Sequence, residues 1–189
     1  MNVLTELLSI TPSSVQPICV KELVSHLDQP SQPLSLPVIR FLLEHVRVDQ
    51  ATIEELSVFD RTQYHRRYLY QSDHVEVLIL GWLNGQRSRI HDHEGSNCGV
   101  KVLKGEATET YFERAENGHI FALGSTKLER DQITSSCDNQ IHQISNLQSN
   151  GQDLVTLHVY SPPLNAAKLY SLESNQIEKM TQDQWAYEI

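Results

Sequence analysis

The chain has 189 residues and a formal net charge of −9 at pH 7. This length suits one domain with a full hydrophobic core, and the acidic balance argues against nucleic acid or an anionic membrane surface as a partner. The sequence contains no apolar run long enough to span a membrane, and its first residues lack the basic and apolar regions of a signal peptide. Because three widely spaced cysteines favour reduced thiols over a disulfide framework, we expect a cytoplasmic protein.

The first third of the chain, residues 1–60, has the spacing of amphipathic helices. Apolar residues recur at positions 20, 23, 24 and 27, which is helical periodicity, and the same pattern returns over residues 36–46. A short third helix is predicted near residue 52, with Thr52 as its N-cap. We expect these helices to form a packing layer.

From about residue 62 the pattern changes to short strands separated by turns. Residues 75–82 are rich in β-branched and apolar side chains, as a buried strand should be. Further strands are predicted at 90–93, 99–103, 107–112, 119–123, 125–128, 132–134, 142–145 and 154–160. Many short strands predict a sandwich or a barrel. The tail, residues 164–189, is polar and is compatible with a strand pair or a short helix.

The stretch His91-Asp92-His93 is the strongest candidate for chemistry. Side chains at positions i and i+2 of a β-strand point to the same face, so the two imidazoles would occupy neighbouring positions around a metal. Gly105, twelve residues past His93, indicates a turn that would bring back a second strand. A His-x-His pair alone is more often a surface feature than a metal site, so further residues must support it.

The surrounding spacing supplies that support. His91-x-His93, a gap of four, Cys98, a gap of six and Gly105 resemble the first cupin motif, and His142 with Asn146 resembles the end of the second. The resemblance implies a mainly-β fold, a jelly-roll-like antiparallel barrel with the metal inside. It also implies that His142 joins His91 and His93 as the third metal ligand.

With this barrel, the chain divides into three parts of one cupin domain. We expect the N-terminal helical layer over residues 1–60, the metal-binding barrel over 62–163 and an extension packed on the barrel over 164–189. Cys98 departs from the general pattern, because most cupins place a glutamate ligand at this position.

This departure narrows the resemblance to one family. The chain is similar to the cysteine dioxygenases over about residues 64–163, in the motifs His91-Asp92-His93, Cys98, Leu157-His158-Val159-Tyr160-Ser161-Pro162-Pro163, Trp82 and Tyr64-His65-Arg66. The resemblance implies a non-haem Fe(II) enzyme that adds both atoms of O₂ to the sulfur of L-cysteine, giving cysteine sulfinate. Three imidazoles suit iron and leave positions open for substrate and dioxygen.

The resemblance also implies roles for individual side chains. Arg66 would hold the substrate carboxylate, which its rigid fork matches, and Tyr64 would support the same pocket. Tyr160 would hydrogen-bond the substrate or an oxygen intermediate, and His158 would orient its phenol. Thr156 replaces the serine of the family's Ser-His-Tyr line and keeps its hydroxyl.

Cys98 has two interpretations. In some members of the family, a cysteine at this position forms a thioether to the matching tyrosine, which here would be Tyr160. The alternative is a small buried thiol. Trp82 either packs beside this region or is a plain core residue, and the resemblance implies a cis bond between Ser161 and Pro162.

Other functions stay open on the sequence alone. 3-Mercaptopropionate carries a carboxylate that Arg66 would also hold, whereas cysteamine has none. Arg66 likewise argues against an N-terminal cysteine of another protein, which would need an open pocket. A non-catalytic metal-binding cupin module is the candidate from a different class, and the family resemblance implies a monomer.

Overall fold

The computed structural model describes residues 17–27, 30–137 and 139–181. The outer parts of the predicted helical layer and of the C-terminal extension, residues 1–16 and 182–189, lie outside the described residues. The described helices are α1 (Val20–His26), α2 (Leu36–His45) and α3 (Gln50–Leu56). None of them has the length and apolar character needed to cross a membrane.

Eleven strands follow in the described part of the chain. They are β1 (His65–Gln71), β2 (Glu76–Trp82), β3 (Ile90–His91), β4 (Asn97–Lys104), β5 (Ala107–Arg114), β6 (Ile120–Leu128), β7 (Ile133–Ser136), β8 (Ile141–Ser145), β9 (Leu154–Ser161), β10 (Ala166–Tyr170) and β11 (Glu178–Thr181).

The strands form two antiparallel sheets that pack into a barrel. One sheet has the order β1-β2-β9-β4-β7, and the other has the order β11-β10-β3-β8-β5-β6. One apolar cluster contains side chains from both sheets, including Leu80, Val100, Ile144 and Leu169, so it fills the space between them. The predicted mainly-β cupin fold with N-terminal helices is confirmed.

The helices cover the outer face of the five-stranded sheet. Leu23, Ile39 and Leu43 pack there against Val77 and Leu157. Strands β2 and β9 are therefore buried on both faces. This explains the nearly continuous apolar run of β2, whereas β9 alternates apolar side chains with Thr156, His158 and Tyr160.

The contact between α2 and β4 requires a glycine. A Cβ atom at position 99 would lie 2.5 Å from Cγ2 of Ile39 and 2.7 Å from Cδ1 of Leu43. Gly99 thus allows the helix to lie directly on the sheet, and it fixes the distance between the helical layer and the barrel.

The structure corrects two details of the predicted elements. Helix α3 begins at Gln50, and its N-cap is Asp49, not Thr52; the Asp49 carboxylate accepts a hydrogen bond from the Thr52 amide at 2.9 Å. The two strands predicted around Gly124 are one strand, β6, because a bulge opposite Tyr111 and Phe112 absorbs the extra residue.

The strand predictions were also incomplete at three places. Strand β1 was not among the predicted strands, and β3 ends at His91 rather than continuing to residue 93. In the tail, β10 and β11 form the strand pair that the sequence left open. Strand β10 pairs with β3 and so continues the six-stranded sheet past His91.

Candidate active site

Three histidines meet inside the barrel. His91 is the last residue of β3 and pairs in register with His142 of β8, and His93 follows two residues after the first. One ligand-type nitrogen from each ring can be chosen so that all three lie within 4.8 Å of one another, and all three residues are buried. The predicted convergence of these three side chains is thus present in the structure.

Each histidine presents its Nδ1 atom to a different neighbour. Nδ1 of His91 lies 2.8 Å from the carbonyl oxygen of Arg89. Nδ1 of His142 lies 2.6 Å from a carboxylate oxygen of Glu109, and Nδ1 of His93 lies 3.3 Å from the hydroxyl of Ser136. These neighbours fix the ring orientations and turn the Nε2 atoms toward the interior.

The environment also keeps the imidazoles of His91 and His93 unprotonated. Burial, together with the charge of nearby His142, lowers the pKa of His91 to about 3. Burial and the neighbouring histidines likewise lower the pKa of His93 well below its ordinary value. Neutral imidazole is the form that binds metals.

A divalent metal fits this arrangement. The Nε2 atoms of His93 and His142 approach to 3.2 Å, and both rings can donate through Nδ1. Two imidazole lone pairs at this distance repel each other unless a cation lies between or beside them. Three buried imidazoles are a donor set that suits Fe, Zn or Cu ions.

A narrow pocket opens beside the histidines. Its wall contains His91 and His142, and also Arg66, Tyr64, His158 and Tyr160. Tyr64 stacks on Trp82, with ring centroids 4.0 Å apart. The structure therefore brings Arg66 and Tyr64 into one cavity with the histidines.

The guanidinium of Arg66 is buried but stays charged. Burial opposes its protonation, but the electrostatic influence of Tyr160, Tyr64 and Glu76 outweighs burial and raises the pKa of Arg66. The adjacent Arg67 points elsewhere, because it donates hydrogen bonds to the carbonyls of residues 55 and 56 in α3. The two arginines are neighbours on β1, where successive side chains alternate between the two faces of the sheet.

Glu76 is a residue at this site that the sequence reasoning missed. It is buried in β2, and its carboxylate lies 3.8 Å from the guanidinium of Arg66. Burial raises the pKa of Glu76, while Arg66 and a hydrogen bond from the Leu164 amide lower it in part. The only sequence signal was a charged residue within an otherwise apolar strand.

A hydrogen-bonded line of buried side chains runs along β9. The indole Nε1 of Trp82 donates to the Thr156 hydroxyl at 2.9 Å, and this hydroxyl lies 2.8 Å from Nε2 of His158. Nδ1 of His158 lies 3.1 Å from the phenol oxygen of Tyr160. Thr156, His158 and Tyr160 lie two residues apart on β9 and therefore share one face, and Trp82 extends the line.

Cys98 and Tyr160 are direct neighbours across β4 and β9. Burial raises the pKa of the Cys98 thiol, although a hydrogen bond with Tyr160 works in the opposite direction. Burial and the neighbouring thiol also raise the pKa of the Tyr160 phenol. The structure has a cis peptide bond between Ser161 and Pro162, as the resemblance implied.

Glu109 is the second important residue that the sequence reasoning did not identify. It is fully buried on β5, and its two carboxylate oxygens lie 2.6 Å from Nδ1 of His142 and 2.6 Å from the phenol oxygen of Tyr111. Burial disfavours the carboxylate, but the bonds with His142, Tyr111 and Thr134 outweigh it and lower the pKa of Glu109. Glutamate at an inward position of a strand was the only signal in the sequence.

The sequence of this chain is similar to those of one known family. A profile of the family described as cysteine dioxygenase type I matches residues 11–173. The chain is 26% identical to cysteine dioxygenase type 1 of Danio rerio, over 91% of this chain and 89% of the relative. It is 27% identical to cysteine dioxygenase type 1 of Rattus norvegicus, over 76% of this chain and 82% of the relative.

Comparison with solved structures supports the fold. A conserved protein of Klebsiella pneumoniae with a double-stranded β-helix domain superposes with a TM-score of 0.50 at 16% identity, covering 66% of this chain and 97% of that protein. The family profile spans the described helices, strands β1 to β10 and all three metal-site histidines. The chain therefore belongs to the cysteine dioxygenase type I family of thiol dioxygenases, and its buried cluster of three histidines is the metal site.

Proposed function

We propose that this chain is an Fe(II)-dependent dioxygenase that oxidises L-cysteine to cysteine sulfinate. The observation that carries the proposal is the position of Arg66 in the same pocket wall as His91 and His142. A buried cation beside a metal site fits a small substrate that binds the metal through one end and carries a carboxylate at the other.

The proposed reaction balances without a further reductant. The thiol sulfur forms two bonds to oxygen as the O–O and S–H bonds break, and the thiol proton is released. Both atoms of O₂ are retained in the sulfinate, and dioxygen accepts all the electrons that sulfur loses. His91, His93 and His142 would hold the iron. When bound, the iron would supply a common centre for a thiolate and dioxygen, and its positive charge would favour the thiolate form.

Arg66 determines how the substrate lies in the pocket. Its guanidinium can bind a carboxylate with two parallel hydrogen bonds, and the buried surroundings strengthen this interaction. Tyr64 lines the same cavity and is itself held in place by its stack on Trp82. The substrate is thereby held at a fixed distance from the histidines, which lowers the entropy cost of the reaction.

Tyr160 is the second residue that faces the substrate. It lines the pocket, and its ring centroid lies 5.7 Å from that of His93. Its high pKa keeps the phenol protonated, so Tyr160 can donate a hydrogen bond to a substrate carboxylate or to an oxygen atom added to sulfur. His158 orients this phenol from behind.

3-Mercaptopropionate is the second candidate substrate, and Arg66 is the observation that favours it. The guanidinium would bind its carboxylate equally well, since the two thiols differ only in the amine. The names of the relatives favour L-cysteine. Cysteamine, which lacks a carboxylate, should be a poor substrate.

Oxygen consumption by protein loaded anaerobically with Fe(II) tests this function. L-Cysteine, 3-mercaptopropionate and cysteamine are compared, and the products are identified by mass. The variant Arg66→Ala should reduce kcat/KM for the carboxylate-bearing thiols by about 10- to 100-fold, the value of a charged hydrogen-bonded contact. Arg67→Ala is the matched control, because that guanidinium binds α3 instead.

The outcomes separate the candidates. Uptake with L-cysteine that is lost in Arg66→Ala but retained in Arg67→Ala supports the proposal. Preference for 3-mercaptopropionate would retain the site and change the substrate. Tight Fe(II) binding with no thiol-dependent oxygen uptake would contradict the enzyme proposal and favour a metal-binding module.

A further inference from the structure

The third histidine of the metal site is connected to a buried carboxylate. Glu109 of β5 and His142 of β8 lie on adjacent strands, offset by two residues in register. Carboxylate oxygen Oε1 is 2.6 Å from Nδ1 of the imidazole, and both side chains are almost completely buried. This short distance is typical of a charge-assisted hydrogen bond.

The direction of this hydrogen bond is fixed by its chemistry. An ionised carboxylate can only accept, so Nδ1 of His142 must carry the proton. The Nε2 atom of a neutral ring is then the one with a lone pair, and Nε2 is the atom that approaches His93. Glu109 therefore selects the tautomer of His142 that can bind a metal at the centre of the cluster.

The second carboxylate oxygen of Glu109 is also occupied. Oε2 accepts the O–H of Tyr111 at 2.6 Å, and the Tyr111 oxygen lies 3.3 Å from the hydroxyl of Thr134. Tyr111 is itself only partly buried. Both oxygens are thus held, and the carboxylate cannot rotate away from His142.

We propose that Glu109 is a positioning residue of the metal site, which supplies through His142 the negative charge that this three-histidine centre lacks among its direct ligands. A carboxylate that accepts the Nδ1 proton makes the opposite ring nitrogen a stronger donor. Most cupins place a glutamate ligand where this chain has Cys98. Here Glu109 contacts the imidazole of His142 instead and would not touch the metal itself. This inference rests on the proposed metal site of the dioxygenase.

The test is the affinity of the full-length protein for Fe(II), measured anaerobically by competition with a chromogenic chelator, and for Zn(II) as a redox-silent probe. Glu109→Leu removes the acceptor and should weaken binding of both ions by about 10- to 100-fold, the usual effect of losing such a partner. Glu109→Gln retains an oxygen acceptor but not the charge, so its loss should be smaller. Tyr111→Phe leaves the carboxylate in place and should also cost less than Glu109→Leu.

Glu106→Gln is the matched control, because this glutamate precedes β5 and pairs with Lys127 on the surface. It should bind both ions with the affinity of the wild type. If Glu109→Leu does not fold, the metal affinity of Glu109→Gln is the deciding measurement, because glutamine is close in shape to glutamate. Thermal unfolding of each metal-free variant shows whether a change in affinity follows from loss of the fold.

Ligand-field absorption of the Co(II)-loaded protein gives a second measurement that packing alone would not change. A weaker His142 donor should shift the bands in Glu109→Gln relative to the wild type and to Glu106→Gln. Folded Glu109 variants with wild-type affinities and unchanged spectra would overturn the proposal, as would Tyr111→Phe with the same loss as Glu109→Leu.

These measurements use no thiol. A chain that binds metal in the expected order of variants but does not oxidise L-cysteine would contradict the proposed function and retain the role of Glu109. The opposite result, dioxygenase activity with unchanged metal affinity in the variants, would contradict only the inference.

Discussion

The indole nitrogen of Trp82 donates a hydrogen bond to the hydroxyl of Thr156 at 2.9 Å. An indole N–H can only donate, so the threonine oxygen accepts at that bond. The remaining hydroxyl proton then points to the other neighbour, Nε2 of His158 at 2.8 Å. Burial, together with the charge of Arg66, lowers the pKa of His158 well below its ordinary value, so the ring is neutral and has a single proton.

We therefore expect the proton of His158 on Nδ1, from which it donates to the oxygen of Tyr160. The reverse direction would place two donors on the Thr156 hydroxyl and leave its own proton buried without an acceptor among the described contacts, at a cost of about 1–3 kcal/mol. The tautomer can be read from ¹⁵N NMR of the Zn(II)-loaded protein, with His158→Gln used to assign the signals. A proton found on Nε2 of His158 would show that His158 donates to the Thr156 hydroxyl and not to Tyr160.

Cys98 and Tyr160 should become joined by a thioether in enzyme that has turned over. Their backbones are directly paired across β4 and β9, and both side chains are buried, so the sulfur and the ring are held together. The S–H bond and one ring C–H bond break as the C–S bond forms, and dioxygen takes up the two electrons and two protons. Intact-mass measurement should show a loss of two hydrogens after incubation with Fe(II), L-cysteine and O₂. The variant Cys98→Ala provides the baseline, and an unchanged wild-type mass would contradict the cross-link.

Stability of the metal-free protein should fall as the pH is lowered below about 6.5, the ordinary pKa of a solvated histidine. His158 stays neutral in the folded state well below that pH, because burial lowers its pKa, whereas in the unfolded chain its imidazole binds a proton in this range. Unfolding therefore takes up a proton, and the free energy of unfolding decreases by at most about 1.4 kcal/mol per pH unit for each such histidine.

Urea unfolding at a series of pH values between about 8 and about 5, which brackets the ordinary histidine pKa, measures this effect. His91 and His93 also have lowered pKa values, so the wild-type slope should contain contributions from all three rings. His158→Gln should reduce the dependence of the unfolding free energy on pH by at most about 1.4 kcal/mol per pH unit, the largest contribution of one histidine. Equal slopes in the variant and the wild type would mean that His158 is accessible to protons in the folded state.

Lys101 should stabilise the contact between the helical layer and the barrel. Its buried amine donates to the carbonyl oxygens of Leu43 and Val46, at the end of α2, at 3.0 and 2.7 Å. Lys101→Met keeps the side-chain length but leaves both carbonyls without this donor. We expect a loss of about 1–3 kcal/mol in the free energy of unfolding, measured by urea denaturation.

Lys127→Met is the control for this prediction, because Lys127 forms an exposed ion pair with Glu106. Exposed pairs of this kind contribute about 0–1 kcal/mol. If the two methionine variants are equally stable, the amine of Lys101 does not hold α2 to the sheet.

Several features of the site follow from local sequence patterns. The spacing of His91 and His93 predicted their convergence. Strand alternation accounts for the shared face of Thr156, His158 and Tyr160 on β9 and for the separation of Arg66 from Arg67 on β1. On these two strands the geometry of an extended backbone decides where side chains one or two positions apart point.

The prediction for β3 was right in outcome but wrong in its local reason. The strand ends at His91, and the following turn contains Glu94 and Gly95 at positive φ. His93 therefore reaches the cluster from the turn that follows the strand. The cupin spacing captured this arrangement, whereas strand periodicity alone did not.

Glu76 and Glu109 could not be assigned from the sequence. A buried glutamate is identified by its partner, and the partner of Glu109 is His142, 33 residues further along the chain. The register between β5 and β8 brings these two together. Strands β5 and β8 are not consecutive in the chain, so their register is a non-local feature that no pattern within either strand specifies.

The sequence by itself predicted the mainly-β class, through its short strands and turns, and the neighbouring positions of His91 and His93, through their spacing. The predicted roles of His142, Arg66 and the line from Thr156 to Tyr160 came from the resemblance to the cysteine dioxygenases. Only the tertiary structure decided which buried groups act on them: Trp82 on Thr156, Glu76 beside Arg66 and Glu109 behind His142. The physical reason is that hydrogen bonds and charges act over a few ångströms in space, and the fold decides which distant parts of a chain come within that range.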